Sequence, residues 1–312
     1  MIAEPKAAAP KRDRAELHLH LEACLRPSTA RELAARSGLP VPLQAPYPDF
    51  SVFSPQYEAA RDLVLDLEVL RRVAAELVED QDARGVTFTE VNLCPASYGG
   101  RLGPAEAIVE TVLGAFPRDR FGLMLGIQRA EGADAGWEVA RMAARYAGEG
   151  VTGLGLVGPE PAGPAEWYAD HFEYARRAGL MCVPHAGETA GPQSVARTLE
   201  LLQPDRILHG VRAIEDPAVV DRLVEQQVCL DVCPTSNVNI GVAPTYREHP
   251  LARLVRAGVP VSIASDGTYL FDTDIDREYD HARDDCGLTE AELDAVAADS
   301  VKWSAKNWRA GT

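Results

Sequence analysis

Four of the chain's seven histidines stand at the carboxyl ends of short apolar runs. His18 and His20 lie two apart in Glu16-Leu17-His18-Leu19-His20. His185 follows Met181-Cys182-Val183-Pro184, and His209 follows Arg206-Ile207-Leu208. Asp266 ends the run Val261-Ser262-Ile263-Ala264-Ser265, and Glu188 comes three residues after His185 in His-Ala-Gly-Glu. His18, His20 and His185 with Asp266 make a mixed nitrogen and oxygen set of the kind that binds zinc and leaves a position for water. Zinc lowers the pKa of such a water to about 7, which gives a nucleophile at neutral pH. Glu188, on the loop just beyond a ligand, is placed to move a proton near the metal. Each residue alone has an ordinary reading: a hydrogen-bonded histidine at a strand end, a solvated glutamate, a capping aspartate. The joint pattern carries the weight.

These side chains meet only if the runs that carry them are parallel and adjacent. Eight runs recur: Ala15 to Leu19, Val86 to Leu93, Phe121 to Ile127, Val151 to Val157, Leu180 to Pro184, Arg206 to Leu208, Val228 to Val232 and Val259 to Ala264. Helix-length segments separate them, among them Ala105 to Leu113, Gly136 to Gly148, Ala165 to Gly179, Pro192 to Leu202, Pro217 to Gln226 and Pro250 to Gly258. Repeated βα units of this kind predict an α/β fold, a parallel (β/α)₈ barrel whose strand ends converge on one face. In a strand, His18 and His20 point to one side, with Leu17, Leu19 and Leu21 on the other. The first connection, from Glu22 to about Arg84, is far longer than the rest. Its Pro-rich centre, Leu39 to Pro55, is not a continuous helix, whereas Tyr57 to Gly85 reads as one helix stopped by glycine. An insertion there would overhang the mouth of the barrel. Residues 1–14 read as a disordered tail and 15–312 as one domain.

The formal net charge of −16 argues against nucleic-acid phosphates or an anionic membrane surface as partners. Six scattered cysteines, among them Cys229 and Cys233 with three residues between, do not match zinc-knuckle spacing and read as reduced thiols. The opening residues lack an apolar signal-peptide core, and no run is long enough to cross a bilayer, so a cytoplasmic protein is expected. His171, His249 and His281 sit in polar or helix-start settings and read as structural. Oligomerisation is possible and not legible.

The motifs from His18 (His-Leu-His-Leu-Glu-Ala-Cys-Leu-Arg-Pro), His185 (His-Ala-Gly-Glu), Arg206 (Arg-Ile-Leu-His-Gly), Cys233 (Cys-Pro-Thr-Ser-Asn-Val) and Ser265 (Ser-Asp) stand in the order found in adenosine deaminases. Between about Glu16 and Tyr279 the chain resembles that family. The resemblance implies a distorted (β/α)₈ barrel of the amidohydrolase superfamily holding one zinc ion per chain. His18, His20, His185 and Asp266 resemble its metal ligands. His209 resembles the histidine that orients the attacking hydroxide, and Glu188 the acid that protonates a ring nitrogen. Gly158 resembles a glycine whose amide contacts another ring nitrogen. The implied reaction is attack on the carbon bearing an exocyclic amine, followed by loss of ammonia.

The sequence departs from the family pattern at three places. Gly267 stands where the family has a second aspartate that hydrogen-bonds the purine imidazole. A charged hydrogen bond of that kind is worth on the order of 1.5–3 kcal/mol, so ordinary adenosine is not the expected best substrate. Instead, Gly267 is expected to leave room for a modified or non-purine heterocycle; the acidic run Asp272, Asp274 and Asp276 is expected to be a solvated loop, with a substitute contact as the alternative. Glu22-Ala23 replaces an acidic residue followed by glycine; Glu22 would meet a sugar hydroxyl or neutral group and repel phosphate. Asn92 stands where relatives often carry arginine. The expected function is therefore a zinc-dependent aminohydrolase acting on a purine nucleoside-like or modified nitrogen heterocycle. The alternatives are cleavage of another carbon–nitrogen bond, in an amide or lactam, and a non-catalytic binding protein.

Overall fold

A computed structural model describes residues 12–308. All eight expected strands form: β1 (Ala15–His20), β2 (Phe88–Leu93), β3 (Phe121–Gln128), β4 (Val151–Val157), β5 (Met181–Ala186), β6 (Arg206–His209), β7 (Cys229–Val232) and β8 (Val261–Ile263). They pair in parallel in sequence order. The Asp266 amide donates to the His18 carbonyl (3.0 Å) and the His20 amide to the Asp266 carbonyl (2.8 Å), closing the sheet into a (β/α)₈ barrel. Parallel strands covered by helices are apolar on both faces, which is why they read as continuous hydrophobic runs.

The helices are α1 (Pro27–Ser37), α2 (Phe50–Asp62), α3 (Leu67–Arg84), α4 (Ala105–Ala115), α5 (Gly132–Arg145) and α6 (Ala169–Arg177). After these come α7 (Pro192–Leu201), α8 (Pro217–Gln226), α9 (Pro234–Asn239), α10 (Leu251–Arg256), α11 (Ile275–Asp284) and α12 (Glu290–Lys302). The single helix expected over Tyr57 to Gly85 is two. The Asp66 carboxylate accepts from the Val69 amide and starts α3 afresh, while Asp49 caps α2 within the Pro-rich stretch. Gly85 does end α3, at a φ of 68°.

The orientation expected for Leu17 is also corrected. A register shift between Glu16 and Leu19 breaks the strict alternation of β1. Leu17 packs with Met124, Met181 and Leu208 in the barrel's interior, whereas Leu19 and Leu21 join the layer under the helices. The shift lets β1 fill the lower interior with leucine and still aim both histidines into the mouth.

Residues 1–11 of the expected tail lie outside the described residues. Arg12 pairs with Glu290 and Asp294, and Arg14 with Asp276, so the chain is already docked where β1 begins. No helix among the described residues is long and apolar enough to cross a membrane.

Candidate active site

At the carboxyl ends of the strands the histidines converge. His18 and His20 come from β1, His185 from β5 and His209 from β6. The Nε2 atoms of His20 and His185 are 3.3 Å apart. Asp266 Oδ1 lies 3.8 Å from His18 Nε2 and 3.6 Å from His20 Nε2. The outer ring nitrogens are occupied: His185 Nδ1 meets the Leu156 carbonyl at 3.0 Å and His18 Nδ1 the Asp231 carbonyl at 3.2 Å. A proton held at Nδ1 by a carbonyl leaves the lone pair on Nε2, the form a metal requires.

Burial, reinforced by the neighbouring imidazoles, holds His18 and His185 neutral, well below the usual histidine range. Burial alone takes His20 down to about 4. It also lifts Asp266 to about 7. His18 Nε2 is buried with no hydrogen-bond partner among the described residues. Nitrogens bound at about 2.0–2.1 Å to a tetrahedral zinc lie roughly 3.4 Å from one another, close to the spacing of His20 and His185. An orphaned imidazole nitrogen, two more facing it and a carboxylate fit a divalent cation.

Glu188 approaches this group, with Oε1 3.2 Å from His209 Nε2. Burial raises its carboxyl well above the usual range, and the charges of Asp266 and Glu160 add to that. That direction favours the protonated, acid form. Its loop is fixed by Glu160, whose carboxylate accepts from the amides of Gly187, Glu188 and Ala190, each at 2.9 Å. Nothing in the spacing of Glu160 marks it in the sequence, since the amides it holds come from a loop 27 to 30 residues away. Arg129, buried beside it, donates to the carbonyls of Gly163 and His185. His209 and Asp266 both adopt φ 62°, outside the comfortable range for a residue with a side chain. Both strands turn sharply at the point where they present a functional group.

A cavity of about 600 Å³, counted to its opening, lies over these residues. Its lining includes His20, His185, Glu188, His209, Asp266 and Gly158. Phe50, Phe53, Ser54 and Tyr57 of α2 form the opposite wall, as expected for an insertion over the mouth. Gly158 (φ 90°) packs so tightly on Gln128 that a Cβ would fall 2.1 Å from Oε1. Among the described residues, no Lys or Arg lines the cavity.

Two substrate-side expectations change. Gly267 opens no space, because a Cβ there would lie 2.4 Å from the Ala23 methyl. Glu22 does not line the cavity: its carboxylate is buried and accepts from the hydroxyls of Tyr57 (3.0 Å) and Tyr98 (2.8 Å). The acidic run lies elsewhere, Asp274 capping α11 and pairing with Arg84, Asp276 with Arg14, and Asp272 with Arg277. Asn92 is buried and donates weakly to the Leu19 carbonyl at 3.4 Å. Cys233 Sγ sits 3.3 Å from His18 Nδ1, on the side away from the facing Nε2 atoms.

The adenosine deaminase family profile matches residues 13–309. A putative adenosine/adenine deaminase of Streptomyces coelicolor is 36% identical over 94% of this chain and 91% of its own length. An aminodeoxyfutalosine deaminase of the same organism is 35% identical, covering 93% of this chain and 79% of its own. Among solved structures, an adenine deaminase from Arthrobacter aurescens superposes with a TM-score of 0.87 at 27% identity, over 94% of both chains. With its barrel, its mouth of imidazoles and carboxyls and this match along nearly the whole chain, the protein belongs to the adenosine deaminase family, and it is a deaminase that cleaves carbon–nitrogen bonds by hydrolysis.

Proposed function

We propose that the protein is a zinc-dependent aminohydrolase that acts on a compact, uncharged 6-aminopurine, with free adenine preferred over adenosine. The observation that carries this is the convergence of His18, His20, His185 and Asp266 beside a carboxyl, Glu188, whose burial favours its protonated form. His18, His20, His185 and Asp266 would hold one zinc ion, which when bound supplies an activated water near neutral pH. Glu188 gives its proton to a ring nitrogen, drawing electrons from the carbon that bears the amine. His209 orients and stabilises the oxygen arriving at that carbon. The carbon–oxygen bond forms, the carbon–nitrogen bond breaks, the amine leaves as ammonia with one proton of the water, and the other proton of the water restores Glu188. The Gly158 amide is available to another ring nitrogen.

Two features support a small base. Ala23 fills the position that a side chain at 267 would take, and Glu22, the acceptor expected for a sugar hydroxyl, is buried and turned to the hydroxyls of Tyr57 and Tyr98. The absence of Lys and Arg from the described cavity wall disfavours a phosphorylated substrate. Ammonia release from adenine, adenosine, deoxyadenosine and adenosine monophosphate tests the reading on protein carrying one zinc per chain. Adenine is expected to exceed adenosine in kcat/KM by about 10²-fold, the size of one charged hydrogen bond. Equal or faster turnover of adenosine would overturn the preference, and products of amide or lactam opening would overturn the reaction.

A further inference from the structure

His249 and Asn237 lie outside the cavity and no step above uses them, yet they connect to it through an unbroken chain of hydrogen bonds. The Leu251 amide is 3.1 Å from His249 Nδ1. His249 Nε2 is 3.1 Å from Asn237 Oδ1, and Asn237 Nδ2 is 3.1 Å from His209 Nδ1. His209 Nε2 then faces Glu188 Oε1 at 3.2 Å. His209, Asn237 and His249 are all at most 3% exposed, so water does not compete for these bonds.

Only one direction satisfies every link. A backbone amide can donate and cannot accept, so His249 Nδ1 accepts and its proton is on Nε2. That proton requires the carboxamide oxygen of Asn237 on its side, which turns the Asn237 NH₂ toward His209. His209 Nδ1 must then accept, and its proton is on Nε2.

We infer that Asn237 and His249 are positioning residues that lock His209 in the Nε2–H tautomer, so that it offers the reaction a hydrogen-bond donor and not a base. The inference rests on the proposed role of His209 as the group facing the reacting carbon. It has a consequence for Glu188. In the free site that donor is directed at Oε1, which leaves Oε2 as the oxygen turned to an incoming ring. The tautomer is thus set by the amide of Leu251 at the start of α10, whereas His209 ends β6 and Glu188 lies on the loop after β5.

Long-range ¹H–¹⁵N correlation of the histidine rings in zinc-loaded enzyme reads the tautomer directly, with His209 assigned by loss of its signals in His209→Asn. The wild type is expected to show a bare Nδ1 and a protonated Nε2. Asn237→Asp presents acceptor oxygens to both rings, so His209 should gain a proton at Nδ1. Its kcat on adenine should fall about 10²-fold, as for loss of one oriented donor, while KM moves by less than about threefold. His249→Leu, which frees Asn237 to turn over, should mix the two tautomers. His249→Gln can accept from Leu251 and donate to Asn237, and should keep the wild-type pattern with kcat within about threefold. A wild-type His209 protonated at Nδ1, or an unchanged ring pattern in Asn237→Asp or His249→Leu, would overturn the inference. Melting curves identify any variant that fails to fold, in which case the wild-type spectrum decides alone. Absence of adenine turnover with the expected ring pattern would refute the substrate and leave the relay standing; turnover with the opposite pattern would do the reverse.

Discussion

Toward the amino ends of the strands, Arg206 is wholly buried between Glu90 (2.7 Å) and Asp231 (2.8 Å) and also donates to the Trp303 carbonyl at 2.8 Å. Ser262 completes Asp231 at 2.6 Å, and the Ala305 amide completes Glu90 at 2.7 Å. At the carboxyl ends of the same strands, four imidazoles crowd two carboxyls with no such cation between them among the described residues. The lower cluster sets one guanidinium between two carboxylates and fills further acceptor positions with a hydroxyl and an amide. The upper one leaves like beside like, and burial there disfavours the charged form of the imidazoles and of the carboxyls alike. A buried polar group that the fold has satisfied serves the fold, while one that it has left in electrostatic conflict is available to a ligand.

That contrast can be broken most sharply at Glu188. Glu188→Gln keeps the shape and removes the transferable proton, so kcat should fall by ~10⁴-fold, the upper end for acid–base catalysis, with zinc content and melting temperature unchanged. A variant that kept activity would make the upper cluster structural like the lower. The complementary test is Arg206→Met, which strands two buried carboxylates. It should lower the unfolding free energy by about 3–5 kcal/mol, measured by urea denaturation. If it folded as well as wild type but lost only turnover, the division between the two ends would fail.

The smallest effect concerns protonation. In the metal-free protein the His20 imidazole should resist protonation as pH falls, because burial lowers its pKa to about 4 from an ordinary 6.5. An NMR titration should find it about one-tenth protonated at pH 5. A midpoint near 6.5 would place His20 in water and remove the conflict argued for the mouth.

Much of this was legible in the chain. Eight apolar runs fall where the eight strands are, because a strand buried on both faces must be apolar along its length. His18, His20, His185, His209, Asp266 and Glu188 could be named from their places at or just beyond strand ends, since a parallel barrel brings those ends together whatever their separation in sequence. Other features were not legible. The orientation of Leu17 depended on a register shift that no alternation pattern encodes. The helix break before Leu67 depended on Asp66 turning its carboxylate back on the Val69 amide.

The residue types themselves decided the chemistry: imidazoles, a carboxylate and an acid, spaced so that only a barrel could unite them. What lay around those residues was decided by tertiary packing. Gly267 looked like added room until Ala23, more than two hundred residues earlier, was found filling it. Glu22 looked like a sugar contact until two tyrosine hydroxyls were found on its carboxylate, and nothing in the sequence marked Glu160, on which three amides converge. The physical reason is common to all three. A side chain's chemistry is local and travels with its identity, but whether it is free, filled or satisfied depends on neighbours that only folding supplies.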